Sequence, residues 1–451
     1  MIRQLLDPQF LLESRAALQE ALSAQIAKAE IGDPDTLRKL EEEGLSTDDL
    51  REAVLSLAAS TTEEMIAKEQ PAAAAIPRDA TASLLQSSLQ SFYEEQKPEL
   101  LERSAGHGAF ASEVPVTDES LIPEAAQVKP QKLFEAMSQS DIRWAAVGFA
   151  KLKRLSQGKH SFPDYPAEPL TISNHARVFL VGDWGSGVPR ARALAQKIRE
   201  LLIRNEFYGM DQHVIHLGDV YYSGSKKEYQ KNFLDHWPVY LGEETRYRSW
   251  CLNGNHDMYA GGHDYFEFLL AEPRFSRQQK SSHFLLENDY WQVFGLDTAW
   301  ENAGLAGGQA EWISKTRRAA PSKKGMLLSH HQLFSPYEGG SPDLREKLQG
   351  YHILEDKLVN SWFWGHEHRC ALYEPGDGIL YPRLIGHGGV PVWAELKKPP
   401  AGVTYQYQEW LASGFEKFAR FGFAVLDFCD SKIKVRYINE LGVPHKDEVL
   451  A

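Results

Sequence analysis

The chain has 451 residues, 43% hydrophobic and 25% charged, a balance that excludes collagen-like, mucin-like and wholly disordered classes, and its length exceeds one small core. The net charge of −13 is unevenly placed, since residues 1–170 hold 28 of the 62 acidic and 17 of the 49 basic side chains. The N-terminal part is therefore acidic, which disfavours nucleic acid or an anionic membrane as its partner.

Cys251, Cys370 and Cys429 cannot build a disulfide framework in so long a chain and read as small buried hydrophobes. The opening residues, Met1 to Pro8, lack a sustained apolar region, and no run of about 18 apolar residues follows. The expectation is a cytoplasmic protein with no membrane association.

Residues 8–110 read as helices in series. Leu11, Leu18, Leu22 and Ile26 recur at helical spacing behind Asp7-Pro8, a cap followed by proline at the first helical position. Ser46 with Asp49 opens a second helix, whose face continues through Leu50, Val54, Leu57 and Met65. The segment 71–77 is a linker, and a further helix spans 81–103. Residues 104–130, rich in Gly, Pro, Ser and acids, have no period and read as irregular. A shorter amphipathic helix runs from Ser140 to about Leu155, with Lys151, Lys153 and Arg154 at the end that suits cations. The resulting division is a helical extension over 1–170 and a second domain over 171–451.

From Arg177 the pattern changes. Short apolar runs at 178–181, 214–217, 250–252, 291–296, 326–328 and 362–364 each lead into a polar or glycine-containing turn, with helical stretches at 191–204 and 308–318. Such alternation predicts an α/β sandwich whose central strands are buried on both faces, with functional loops at the strand C-terminal ends.

Five of those turns carry chemistry: Gly182-Asp183-Trp184-Gly185, Gly218-Asp219-Val220-Tyr221-Tyr222, Gly254-Asn255-His256-Asp257, Ser329-His330-His331 and Gly365-His366-Glu367-His368. Asp183 and Asp219 each follow an apolar run. Two carboxylates at neighbouring strand ends repel unless a cation lies between them, and one bridging a metal pair at about 3.5–4 Å is the simplest solution. Tyr222 can return toward the same metal as a phenolate or pack as an ordinary buried aromatic. Asn255 offers an amide oxygen and His256 an imidazole, with Asp257 placed to orient that ring. His366 and His368 can point from one extended turn, each toward a different metal. His263 and His387, in glycine-rich stretches nearby, either contact substrate or, the favoured reading, pack their loops.

These motifs in this order resemble the calcineurin-like metallophosphoesterase superfamily over about residues 175–430, and most of all its purple acid phosphatase pattern. The first motif reads Asp183-Trp184-Gly185, and a tyrosine stands at Tyr222 in the second. The resemblance implies a four-layer α/β/β/α sandwich and a binuclear metal site. One metal would take Asp183, Tyr222 and His368, the other Asn255, His330 and His366, with Asp219 bridging. His256 is then a non-ligand acid or phosphate contact. His331 is a second phosphate contact or a packed neighbour.

The implied activity is hydrolysis of a small phosphate mono- or diester by in-line attack of a metal-activated hydroxide. Iron is expected at the Tyr222 site and Fe, Zn or Mn at the other. The competing expectation is a catalytically inert scaffold or binding protein acting through its helical N-terminal part. Residues 1–170 are expected to pack on the catalytic domain or cover its pocket, or else to form a dimerisation arm; the oligomeric state is open.

Overall fold

The structure, a computed structural model, describes residues 158–163, 168–204, 209–392, 398–413 and 416–451, with a few positions among residues 23–37 and Arg154 besides. The expected linker at 71–77, the irregular stretch at 104–130 and the helices over 8–110 and 140–155 lie outside the described residues, apart from residues 26–30, which are helical, and single helical positions beside them.

In chain order the strands are β1 (Pro169–Thr171), β2 (Arg177–Val181), β3 (Gln212–His216), β4 (Tyr247–Cys251), β5 (Phe284–Glu287), β6 (Trp291–Gly295), β7 (Lys324–Ser329), β8 (Ser361–Trp364), β9 (Cys370–Tyr373), β10 (Tyr381–Ile385), β11 (Val403–Gln406), β12 (Trp410–Ser413), β13 (Glu416–Ala419), β14 (Gly422–Cys429), β15 (Lys432–Asn439) and β16 (Pro444–Leu450). The helices that matter for the layers and the site are α1 (Pro189–Arg204), α2 (Asn255–Met258), α3 (Gln309–Ala319) and α4 (Pro342–Gly350). Two large sheets result, ordered β16-β15-β14-β2-β3-β4 and β1-β5-β6-β7-β8-β10-β9-β11. Within them β2, β3 and β4 are parallel, as are β6, β7 and β8. The division expected at 170/171 falls inside β1, which pairs with β5.

Side-chain alternation along the strands builds the layers. Phe179 and Val181 of β2 face α1 through Ala191, Leu194 and Ile198. Their neighbours Val178 and Leu180 face the other way, into a core shared with Phe284, Val293, Met326, Leu328 and Phe363 of the second sheet. On that sheet's far side, Phe294, Leu327, Trp362 and Trp364 pack with Ile313 of α3 and Leu344 and Leu348 of α4. A period of two along strands, with both faces apolar, is what a sheet covered on both sides requires. The order is helix, sheet, sheet, helix: the four-layer α/β/β/α sandwich.

The C-terminal strands were not marked by the sequence. β14 and β15 form an antiparallel hairpin that joins the first sheet beside β2. Cys251 and Cys370 are buried, as expected, whereas Cys429 is exposed. Among the described residues no helix is long and apolar enough to cross a membrane.

Candidate metal centre

All five turns lie at C-terminal strand ends, after β2, β3, β4, β7 and β8, where parallel strands leave a crevice. The first two are stitched to each other: Asp183 N donates to Gly218 O at 3.1 Å and Tyr221 N to Gly185 O at 2.9 Å. Asp183, Asp219 and His366 adopt positive φ, at 56°, 73° and 71°. Three non-glycine residues in this sparsely populated region, clustered at one place, mark backbone strain held by the surrounding fold. A Cβ on Gly254 would overlap Asp219 Oδ1, so only glycine lets the third turn approach the second this closely.

Asp183 and Asp219 are buried, with 0% and 1% of their surface exposed. Both accept from the Tyr221 hydroxyl, Asp183 Oδ1 at 3.1 Å and Asp219 Oδ2 at 3.0 Å, and His368 Nε2 lies 2.9 Å from that same oxygen. Asp183 Oδ2 also accepts from His366 N at 2.8 Å. Burial, then the Asp219 charge, hold the Asp183 carboxyl well above the usual carboxylate range.

The tyrosine is a correction to the sequence reading. The phenol brought to both carboxylates is that of Tyr221, where the Asp-x-x-Tyr spacing had pointed to Tyr222. The contacts described for Tyr222 are main-chain ones, its N donating to Glu228 Oε1 at 2.6 Å and its O lying 2.6 Å from His256 Nδ1. The peptide joining the two tyrosines is cis.

On the other side of Asp219, His330 is fully buried. Its Nδ1 lies 3.0 Å from Leu217 O, which requires the proton there and leaves a lone pair on Nε2. That lone pair meets Asn255 Oδ1 at 3.0 Å, His366 Nδ1 at 3.2 Å and Asp219 Oδ2 at 3.4 Å. Asn255 faces the same point with its oxygen because its Nδ2 donates to Tyr259 Oη at 2.8 Å. Burial, then the His366 charge, hold His330 well below its ordinary value, so a second proton on the ring is disfavoured. Electron-pair donors thus converge with too few protons between them, and buried lone pairs facing each other call for a cation.

The carboxylates Asp183 and Asp219 lie with His330 inside one sphere of possible ligation, the candidate atoms within 4.8 Å of one another, and His330, His331 and His366 form an overlapping group. Three oxygen donors, three imidazoles and a phenol suit hard or borderline divalent and trivalent ions.

His256 and His331 flank the carboxylates and His330. His256 N donates to Asp219 Oδ1 at 3.0 Å, and its ring reaches Asp219 Oδ2 at 3.9 Å. With Nδ1 occupied by Tyr222 O, Nε2 is the nitrogen on the carboxylate side; burial lowers the ring's proton affinity. His331 lies 4.8 Å, ring to ring, from both His330 and His366, and its Nδ1 is 3.1 Å from Thr298 Oγ1.

Asp257 does not orient His256, as its position in sequence had suggested. Its carboxylate accepts from Gly254 N at 2.7 Å, Asp219 N at 2.9 Å, Val220 N at 3.3 Å and Tyr229 Oη at 2.6 Å, locking the third turn to the second. Reasoning from sequence missed Tyr221, Tyr229 and Thr298 as well. The adjacent tyrosines of the second motif were the only hint of the first.

Of the two outlying histidines, His263 packs its loop, its Nε2 lying 2.9 Å from Gly158 O. His387 is buried beside Cys370 and His445. Its loop touches the centre through Gly386, where a Cβ would lie 2.9 Å from Asp183 Oδ2.

Fold and site together define a metallophosphoesterase domain. Residues 176–370 match the model of the calcineurin-like phosphoesterase family, and that stretch of the chain is a calcineurin-like phosphoesterase domain. Similar solved structures include GAP50, the anchor in the inner membrane complex of Plasmodium, at 15% identity and TM-score 0.44, covering 61% of this chain and 88% of that one. A dimetal phosphatase from Danio rerio is similar at 12% identity and TM-score 0.41, over 61% and 98%. A predicted phosphoesterase from Streptococcus pneumoniae is similar at 13% identity and TM-score 0.27, over 61% and 97%. No curated protein matches the chain.

Proposed function

We propose that this chain is a hydrolase of a phosphate mono- or diester that works with two metal ions. Asp183, His368 and the phenol of Tyr221 would hold one ion and Asn255, His330 and His366 the other, with Asp219 shared. The observation that carries this reading is the meeting of His330 Nε2, Asn255 Oδ1, His366 Nδ1 and Asp219 Oδ2 with too few protons between them. When bound, such ions acidify water and offset negative charge on phosphoryl oxygens.

The chain's own residues supply the rest. Asp219, tied through Oδ1 to His256 N, keeps Oδ2 toward both halves of the site. Asp257 fixes the two turns relative to each other. His256, its Nδ1 directed at Tyr222 O, presents Nε2 to a phosphoryl or leaving oxygen, and an anion beside that nitrogen favours the protonated ring, which can then donate. His331, held at Nδ1 by Thr298, offers Nε2 as a second contact to the phosphate. The phenol of Tyr221 favours iron at its site, and the Asn255 site accepts Fe, Zn or Mn.

Metal analysis of the purified protein combined with a panel of phosphate mono- and diesters tests the reading. Two ions per chain at this centre and turnover of at least one ester are expected, with Asp219→Ala and His366→Ala each losing at least about a hundredfold in kcat/KM. Full activity in those variants would overturn it. Two bound ions with no turnover across the panel would favour the inert scaffold instead.

A further inference from the structure

A second group of metal-ligating side chains lies outside the phosphoesterase centre. Cys370 opens β9, His387 follows β10 by two residues and His445 is the second residue of β16. Strands β9 and β10 belong to one large sheet and β16 to the other. The candidate ligand atoms of the three lie within 4.8 Å of one another.

The chemistry of the trio is unmet. His387 is 3% exposed, yet among the described residues neither ring nitrogen has a hydrogen-bond partner, and His445 Nε2 is likewise buried without one there. A neutral imidazole carries one donor and one acceptor, and leaving both unsatisfied in the interior is strongly unfavourable. The other nitrogen of His445, Nδ1, lies 2.8 Å from Tyr405 Oη, and the Tyr407 ring stacks on the imidazole at 3.8 Å and 14°. Those contacts fix the ring and direct the unpartnered Nε2, the pattern of an imidazole poised to ligate through its free nitrogen. A Cβ on Gly422 would press on His387 Nε2 at 2.5 Å, so the backbone there has made room for the ring.

We infer that Cys370, His387 and His445 form a zinc site joining the two sheets. A thiolate with two imidazoles selects zinc over magnesium, calcium or manganese, and the tetrahedral ion keeps its fourth position for water. On binding, the Cys370 thiol releases its proton to solvent and the sulfur supplies the electron pair. The ion ties down the turn that carries His366 and His368, two residues before Cys370, and the loop that brings Gly386 against Asp183.

Cobalt(II) in place of zinc gives a readout independent of the proposed activity, because the phosphoesterase ligand set contains no sulfur. Cobalt-loaded full-length protein should show a sulfur-to-cobalt charge-transfer band in the near ultraviolet that Cys370→Ser abolishes and that Cys251→Ser, Cys429→Ser and Asp219→Ala retain. His387→Ala should lower zinc content by one equivalent per chain. Absence of the band from fully loaded protein, or its survival in Cys370→Ser, would overturn the site. Should Cys370→Ser fail to fold, X-ray absorption of the zinc-loaded parent decides: a sulfur scatterer is expected, and oxygen and nitrogen scatterers alone would refute the inference.

Discussion

Asp257 offers a direct test of how the two central turns are held. Its carboxylate takes four hydrogen bonds, Oδ2 from Gly254 N and Asp219 N and Oδ1 from Val220 N and Tyr229 Oη. Burial, then the Asp219 charge, push its pKa up to about 7, so the comparison belongs at pH 8, where the carboxylate is the main form. Asp257→Ala leaves three main-chain N–H groups and a hydroxyl without their acceptor. At about 1 kcal/mol or more for each unmet buried donor, the loss is about 4 kcal/mol. Asp257→Asn can turn its carbonyl toward Gly254 and Asp219 and give its NH₂ to the Tyr229 hydroxyl, which can accept. Val220 N, the longest contact, then goes unmet, and the Tyr229 hydroxyl exchanges a donated bond for an accepted one. The cost falls to about 1–2 kcal/mol, part of it lost charge assistance. Urea unfolding followed by circular dichroism, with the m-value unchanged, reads the difference as a shift in midpoint. Equal destabilisation by the two substitutions would refute this hydrogen-bond count, and so would an alanine variant within about 1 kcal/mol of the parent.

Two further predictions concern the phenol and the sheet edge. If iron binds beside Tyr221, the phenolate-to-iron absorption band should vanish in Tyr221→Phe and persist in Tyr222→Phe; the reverse result would return the ligand to Tyr222. At the other end of the sheet, burial alone would raise Asp211, but His213 at 3.1 Å, the Ser173 amide at 3.0 Å and Arg248 outweigh it and bring the pKa to about 2. A carboxyl whose folded value lies below its unfolded value of about 4 stabilises the fold above that unfolded value. The contribution is lost as the pH falls from about 4 through about 2. Asp211→Asn should therefore cost about 2 kcal/mol at pH 7 and progressively less toward pH 2, measured by denaturant midpoints; a gap that does not change with pH would contradict it.

The parts of this molecule legible in sequence are those where local pattern and chemistry coincide. The run at 178–181 followed by Gly182-Asp183 could be read because a strand buried on both faces is a short apolar block and its turn needs glycine. The run at 214–217 with Gly218-Asp219 repeats that logic. Tyr221 could not be separated from Tyr222, since which of two adjacent rings turns inward depends on the path of a turn that spacing alone does not fix. Asp257 was placed correctly near the site but given the wrong partner. Its carboxylate is taken by main-chain amides of a turn 38 residues away, and amides leave no mark in a sequence. The convergence of Cys370, His387 and His445 is hidden for the same reason, because it arises only when two sheets face each other. The hairpin β14–β15 was missed although Lys432–Asn439 alternates exposed and buried residues over half its length.

The short stretch 158–163 is bonded to the phosphoesterase domain on two sides. His160 N donates to Gly261 O, Lys159 Nζ to Trp300 O and Trp300 Nε1 to His160 O, while Phe162 stacks on His283. Gly261 closes the loop that follows α2, the helix bearing Asn255 and His256. A fragment begun at residue 171 would strip that loop of its brace, so a piece meant to keep Asn255 and His256 in register starts no later than residue 158.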